Sequence, residues 1–107
     1  MRNVLLGVVM SNQLIIEMFT SPNCPYCAIL KPKLIEYCKS VNITMSIVDI
    51  SDEGMLDYAT NLGICSLPTI RILLNANVIR VLEGLQFNDV KQNIEFAINK
   101  LREKESN

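Results

Sequence analysis

The feature that most constrains the fold is an apolar run that leads directly into a helical pattern, with two cysteines at the junction. The run covers residues 13–19 and has polar neighbours on both sides, as is typical of a strand buried on both faces. From Cys27 onwards, apolar residues recur at spacings of three and four, which predicts one buried stripe of a helix. A strand that passes directly into an amphipathic helix indicates an α/β fold.

Two further elements follow this helix. Residues 43–50 alternate between apolar and polar side chains and predict a second strand. Because a helix connects it to the first strand, the two strands should run parallel with a right-handed crossover. A short helix comes next, capped by Ser51 or Asp52 and ended by Gly63. Its predicted apolar face consists of Met55, Tyr58, Ala59 and Leu62.

The last third of the chain predicts a β-hairpin and a final helix. Two strand-like segments, LPTIRILL and NVIRVLEG, are separated by Asn75 and Ala76, which suit a tight turn. Asn88 or Asp89 would cap the final helix. The predicted buried stripe of this helix consists of Val90, Ile94, Ala97 and Leu101. The predicted fold is therefore a mixed, four-stranded central sheet flanked by three helices, which lie on both of its faces.

Length and composition fit a single domain. The chain has 107 residues, half of them hydrophobic, which is enough to fill one core. We place this domain at residues 13–102, after an N-terminal extension (1–12) and before a frayed tail (103–107). Residues 1–10 stand outside the β-α order, and the sequence is compatible with an extra N-terminal strand or with loose attachment.

Charge and composition exclude several classes of function. The net charge is −1 and the pI about 5.3, so no basic field attracts nucleic acid or an anionic membrane. The chain has no histidine, which excludes histidine bases and histidine-ligated metals. The apolar run VLLGVVM is far shorter than the ~20 residues of a membrane span, and no signal-cleavage pattern follows it. We expect a monomer in the reducing cytoplasm.

The two cysteines at the strand–helix junction form the candidate reactive site. Cys24 falls where the helix begins, and the unpaired N–H groups there stabilise a thiolate. Pro25 suits the first helical position because its missing N–H is not needed there. Cys27 lies one turn later, close enough to close and reopen a bridge. The spacing therefore predicts that Cys24 attacks a disulfide and that Cys27 resolves the resulting mixed disulfide.

A structural disulfide and a metal site are the alternatives for this pair. A bridge across so short a loop constrains little of the unfolded chain. A zinc site needs about four ligands, and Cys38 lies roughly 16 Å from Cys27 along the helix axis. Redox chemistry without a metal is therefore favoured. We interpret Cys38 as a core residue and Cys65 as a spare loop thiol.

The segments FTSPNCPYC and SLPTI resemble the thioredoxin–glutaredoxin superfamily, over about residues 13–101. CPYC is the glutaredoxin-type tetrapeptide, whereas Pro32 and Gly84 resemble thioredoxin positions. The Gly-Gly-acid turn with which glutaredoxins hold glutathione is missing, since Leu85 follows Gly84. The chain is most similar to short, glutaredoxin-like thioredoxins with a CPYC site. This resemblance implies a thioredoxin-like fold and a protein-disulfide reductase that uses Cys24 and Cys27 and needs no cofactor.

The resemblance also implies which residues contact the substrate. Leu67 and Pro68 would form a cis peptide bond that faces the thiols, and the backbone beside it would pair with the substrate chain. The implied substrate-binding residues are Pro25, Tyr26, Leu67, Pro68 and Gly84. The expected partners are disulfide-containing proteins and a donor of the thioredoxin-reductase type, in preference to glutathione.

Two positions depart from the family pattern. Thioredoxins usually carry a tryptophan before the first cysteine and a buried aspartate in the preceding strand, where this chain has Asn23 and Met18. We interpret the neighbouring Glu17 as a partly exposed strand charge rather than as the proton acceptor for Cys27. The alternative functions are a glutathione-dependent glutaredoxin, an iron–sulfur carrier and a redox-silent scaffold. Glutathione-coupled activity, brown colour and the absence of a dithiol titration would distinguish them.

Overall fold

The computed structural model of the protein describes residues 13–105. Its elements follow the predicted order β-α-β-α-β-β-α. They are β1 (Leu14–Thr20), α1 (Pro25–Ser40), β2 (Thr44–Asp49), α2 (Glu53–Asn61), β3 (Thr69–Leu74), β4 (Asn77–Glu83) and α3 (Phe87–Glu105). The extra strand considered for residues 1–10 lies outside the described residues.

The four strands form one mixed sheet in the order β2-β1-β3-β4. As predicted, β1 and β2 are parallel, while β3 pairs antiparallel with both β1 and β4. β1 is thus a central strand, and its Ile16, Met18 and Phe19 are fully buried. This agrees with an apolar run covered on both faces. The loop that follows β1 therefore starts from a rigid position at the middle of the sheet.

Helices α1 and α3 cover one face of the sheet, and α2 covers the other. The larger core joins side chains of β1 and β3 to those of α1 and α3, with Leu34 and Ile94 fully buried. The smaller core on the opposite face joins Phe19, Val48 and Ala59. The prediction of helices on both faces is confirmed. Within residues 13–105, no helix is long and apolar enough to cross a membrane.

The predicted apolar face of α2 is wrong in part. The cap is confirmed, because the Asp52 carboxylate accepts a hydrogen bond from the Met55 N–H at 3.1 Å. Of the predicted face, however, only Ala59 is buried, whereas Met55, Tyr58 and Leu62 are 41%, 37% and 40% exposed. With nine residues, α2 makes little more than two turns, so one small side chain suffices to seat it on the sheet. Tyr58, although partly exposed, also packs on the sheet, because its ring stacks on Phe19 with the ring centroids 5.9 Å apart.

The start of α3 also differs from the prediction. The helix begins at Phe87, and the carbonyl of Gln86 accepts hydrogen bonds from the N–H groups of Asp89 and Val90. Asn88 and Asp89 thus lie in the first turn and not at the cap. Asp89 still favours the helix there, because a carboxylate near the N-terminus interacts well with the helix dipole.

The last helix extends further than predicted. α3 continues to Glu105, so residues 103–105 are helical where a frayed tail was expected. An ion pair between Lys100 and Glu103, 3.6 Å apart, spans one turn in this region. Of the predicted stripe, Val90, Ile94 and Ala97 are buried, and Leu101 is partly buried.

The β3–β4 hairpin turns at Asn75 and Ala76, as predicted. Both residues have positive φ, 53° and 71° respectively. Two left-handed residues give a two-residue turn the twist of the flanking strands, and glycine is favoured at the second position. Ala76 occupies that position with a Cβ, which costs roughly 1–2 kcal/mol in left-handed backbone.

We expect the Ala76→Gly variant to be more stable than the wild type by about 0.5–1 kcal/mol. Glycine relieves the left-handed penalty but loses roughly 0.5–1 kcal/mol of additional backbone entropy on folding. Urea unfolding measures the difference. Ala28→Gly is the matched control, because Ala28 lies exposed in α1, where glycine should destabilise by up to ~1 kcal/mol. A loss of stability in both variants would contradict the proposed turn energetics.

Candidate active site

Cys24 is the N-cap residue of α1. Its backbone is extended, with φ −107° and ψ 101°, and its carbonyl accepts a hydrogen bond from the Ala28 N–H at 3.2 Å. Its sulfur accepts a hydrogen bond from the Cys27 N–H, also at 3.2 Å. Pro25 occupies the first helical position, and no acidic residue lies in the first turn. The sulfur of Cys24 therefore lies against the positive end of a helix, which stabilises a thiolate.

Cys24 and Cys27 form a disulfide, with their Cα atoms 5.2 Å apart. The two residues differ in accessibility: Cys24 is partly exposed, whereas Cys27 is only 1% exposed. An incoming disulfide can thus approach Cys24 from solvent but cannot approach Cys27. This asymmetry suits a pair in which one sulfur attacks and the other resolves.

A groove of about 450 Å³ extends from Cys24 towards α2. Two of the predicted substrate-binding residues, Pro25 and Leu67, line it. Its apolar wall is formed by Ile50, Leu56, Ala59, Ile64 and Leu67. The groove places apolar surface directly beside the sulfur that solvent can reach.

The other predicted substrate-binding residues do not line this groove. The Leu67–Pro68 bond is cis, as the resemblance implied, and Pro68 itself is buried. Tyr26 lies on the α3 side of α1, where its hydroxyl donates a hydrogen bond to the Leu85 carbonyl at 2.9 Å. Gly84, with φ +67°, precedes Leu85 in the loop between β4 and α3. The predicted residues therefore occupy two flanks of the first turn of α1, and contact of any of them with substrate stays a prediction.

Glu17 lies on the opposite face of β1 from Met18, which packs in the same core as Cys27. The interpretation of Glu17 as a partly exposed charge is wrong, since it is 8% exposed. Its Oε1 lies 2.8 Å from the Arg71 Nε. The two groups form an ion pair, but these two atoms lack the geometry of a hydrogen bond. Its Oε2 accepts a hydrogen bond from the Tyr58 hydroxyl at 2.7 Å. This bond, together with burial, raises the pKa of Tyr58.

Asp49, at the end of β2, is a site residue that sequence analysis did not identify. Together with Cys27, Lys31 and Thr20 it lines a second cavity, of about 240 Å³. Its Oδ1 accepts hydrogen bonds from the Ser51 N–H at 2.9 Å and the Ser51 hydroxyl at 2.7 Å. These bonds, aided by the charge of Lys31, lower the pKa of Asp49. Single acidic residues at the ends of strands are common in protein sequences, so the sequence around Asp49 did not indicate a role in the site.

The two remaining cysteines differ in their surroundings. Cys38 is 1% exposed in the main core, as predicted, and burial raises its pKa to about 11. Cys65 is exposed, lies in the groove beside Cys24, and donates from its thiol to the Gly63 carbonyl at 3.4 Å. Among residues 13–105, no three cysteine or carboxylate side chains converge as a metal site requires.

The thioredoxin family model matches residues 6–96. The chain belongs to the thioredoxin family. Thioredoxins are protein-disulfide oxidoreductases, and this thioredoxin-family chain carries the CxxC disulfide that such chemistry uses. The match begins inside the segment that sequence analysis set apart as an N-terminal extension (1–12).

Solved thioredoxin structures share the fold of this family member. Thioredoxin 1 from Thermosipho africanus is 22% identical, with a TM-score of 0.73 over 79% of this chain and 94% of that one. Thioredoxin O2 from Arabidopsis thaliana is 20% identical, with a TM-score of 0.71 over 78% and 74%. Thioredoxin-2 of the malaria parasite is 26% identical, with a TM-score of 0.68 over 87% and 91%. The comparison with curated proteins found no match. The predicted thioredoxin-like fold is confirmed.

We expect the Glu17→Gln variant to lose stability but not activity. Removing one partner of a buried ion pair leaves Arg71 without its counter-charge, which costs about 3–5 kcal/mol. The turnover of folded molecules should be unchanged, because Glu17 lies on the other face of the sheet from Cys27. Chemical unfolding and disulfide-reduction rates measure the two effects. Tyr58→Phe is the control, which removes a single hydrogen bond and should cost ~1–3 kcal/mol. A stable but inactive Glu17→Gln protein would contradict this structural role.

Proposed function

We propose that the protein reduces disulfides of other proteins through a reversible Cys24–Cys27 dithiol/disulfide. The observation that carries the proposal is the asymmetry of the pair at the start of α1. The sulfur of Cys24 is accessible and accepts a hydrogen bond from a helix N-terminus, whereas Cys27 lies buried behind it. A sulfur so placed is a good nucleophile, and in the mixed disulfide it stays within reach of Cys27 for the second exchange.

The reaction consists of two thiol–disulfide exchanges. The Cys24 thiolate attacks one sulfur of the target disulfide, and the other target sulfur leaves as a thiolate. Cys27 then loses its proton and attacks the Cys24 sulfur, which closes the bridge and releases the second target sulfur. Two electrons have passed from the cysteine pair to the target. An external donor must reduce the bridge before the next cycle.

The groove beside Cys24 supports a protein substrate. Its wall continues onto the outward side of α2, where Met55 and Leu56 are 41% and 45% exposed. Acidic residues surround this apolar surface, and no lysine or arginine occurs between residues 40 and 70. The exposed acids of α2 and its cap are Asp52, Glu53 and Asp57. We propose that a substrate places an apolar side chain in the groove, with basic neighbours, while its backbone pairs beside Pro68.

We expect Cys24→Ser to abolish turnover, because the remaining Cys27 thiol is buried. Cys27→Ser should still attack but not resolve, so stable mixed disulfides should accumulate. Insulin reduction measures turnover, and mass spectrometry of trapped adducts identifies the targets. Cys38→Ala is a further variant that separates loss of packing from loss of chemistry, since Cys38 lies in the core. Wild-type rates in Cys24→Ser would overturn the proposed function.

We also propose that the donor is a thioredoxin-reductase-type protein and that the setting is the cytoplasm. A glutathione site needs close backbone approach, which a Gly-Gly turn followed by an acid provides. Here Leu85 follows Gly84, packs against the core and accepts the Tyr26 hydroxyl on its carbonyl. The acid that follows in sequence, Asp89, lies in the first turn of α3. The exposed free thiol of Cys65 fits a reducing compartment.

We expect poor activity with glutathione and glutathione reductase. Losing two or three polar contacts at ~0.5–1.5 kcal/mol each weakens glutathione binding by about one to three orders of magnitude. The double variant Leu85→Gly/Gln86→Asp supplies the missing turn and should raise glutathione-coupled reduction of hydroxyethyl disulfide. Leu85→Ala is the control, because it removes the bulk without adding the turn. Glutaredoxin-like rates in the wild type would contradict the choice of donor and would support the glutathione-dependent alternative.

A further inference from the structure

Cys27 needs a proton acceptor, and β1 provides none. A buried thiol holds its proton firmly, because a thiolate is disfavoured away from water. Met18 packs in the same core as Cys27 but has no titratable group. Glu17 is held on the opposite face by Arg71 and Tyr58. A side chain that accepts this proton would therefore have to come from another element.

The cavity that Cys27 shares with Asp49 offers a path for the proton. Its volume of about 240 Å³ is large enough for several water molecules, since each occupies about 30 Å³ in the liquid. Asp49 reaches the wall of this cavity because β1 and β2 are parallel and in register, with Thr20 opposite Asp49. Cys27 and Asp49 thus line one cavity, so a proton could pass between them through water without direct contact.

The surroundings hold the Asp49 carboxylate in place and keep it charged. Ser51 donates its N–H and its hydroxyl to the same oxygen, Oδ1. Lys31 of α1 also lines the cavity, and its positive charge acts on Asp49. The β1 residue in the lining, Thr20, is neutral. Asp52 follows in the same loop, but its carboxylate caps α2. The pKa of Asp49 is lowered by its bonds to Ser51, so the carboxylate is ionised at neutral pH.

We infer that Asp49 accepts the proton of Cys27, through water in this cavity, as Cys27 attacks the mixed disulfide. The inference rests on the proposed roles of Cys24 and Cys27. The Cys27 S–H bond breaks, and the proton passes through water to the Asp49 carboxylate and on to solvent. The electron pair left on the Cys27 sulfur forms the bond to the Cys24 sulfur. The target sulfur leaves with the electrons of the old bond, so electrons and protons balance.

The experiment follows the two thiol steps separately in stopped-flow. The reduced protein reacts with dithio-bis-nitrobenzoate, which releases one coloured thiolate when Cys24 attacks and a second when Cys27 resolves. All proteins carry Cys65→Ser, because the exposed Cys65 would react as well, whereas the buried Cys38 should not. Asp49→Asn removes the charge but keeps an acceptor for Ser51. Asp49→Glu keeps the carboxylate, and Glu95→Gln removes an exposed acid of α3 as the matched control.

We expect Asp49→Asn to slow the second phase by about a hundredfold or more at pH 7, as general-base effects of about 10²–10⁴-fold imply, and to leave the first phase unchanged. The deficit should shrink towards pH 10, because hydroxide then takes the Cys27 proton without help from a carboxylate. Asp49→Glu should retain most of the second-phase rate, and Glu95→Gln all of it. An effect that arises only from lost structure would not disappear at high pH.

Three results would overturn the inference. The second phase could be unchanged in Asp49→Asn, both phases could slow equally, or the deficit could persist at pH 10. A Cys65→Ser protein with Asp49 intact that releases a single coloured thiolate would instead contradict the proposed roles of Cys24 and Cys27, and this inference with them. The trace of that parent protein therefore separates failure of the proposed function from failure of the role of Asp49.

Discussion

The hydrogen bond from the Cys27 N–H to the Cys24 sulfur joins the fold to the chemistry. A helix that starts at the end of a central strand must satisfy its first N–H groups, and oxygen side chains usually do so. Here a sulfur takes that place, so the residue that begins α1 is also the residue that we propose as the nucleophile. Because a thiolate accepts hydrogen bonds better than a disulfide sulfur does, the same contact favours helix packing and a nucleophilic Cys24.

The sequence predicted those parts of the fold whose causes are local. The apolar run of β1, the stripe of α1 and the Asn75-Ala76 turn each follow from a few neighbouring residues. The face of α2 and the start of α3 do not. The contacts of Ala59 and Tyr58 with the sheet decide which side of α2 is covered. The carbonyl of Gln86 caps α3, where a capping side chain was expected. The covered face of α2 and the start of α3 both depend on the surroundings of each helix in the folded protein. The periodicity of apolar residues along the sequence gives no information about these surroundings.

The same division applies to the site. Cys24, Pro25 and Cys27 could be identified from spacing, since one helical turn connects them. The surroundings of Glu17 could not, because its partners come from β3 and α2, far away in sequence. Asp49 approaches Cys27 only through the parallel register of β2 with β1. Strand alternation did predict that Glu17 and Met18 point to opposite faces, but alternation carries no information about burial or pairing.

The hydrogen bond between Tyr26 and Leu85 has a consequence for the energetics of electron transfer. Tyr26 lies between the two cysteines, and its bond to the Leu85 carbonyl involves neither sulfur, so the bridge can open without breaking this bond. The backbone between Cys24 and Cys27 is thereby anchored in both redox states, and the change can be confined to rotation of two side chains. When so little of the site has to move, structural reorganisation adds little to the activation energy of either exchange. The reduction potentials of the partner proteins set the direction of electron transfer, so one protein can oxidise the cysteine pair and another can reduce it.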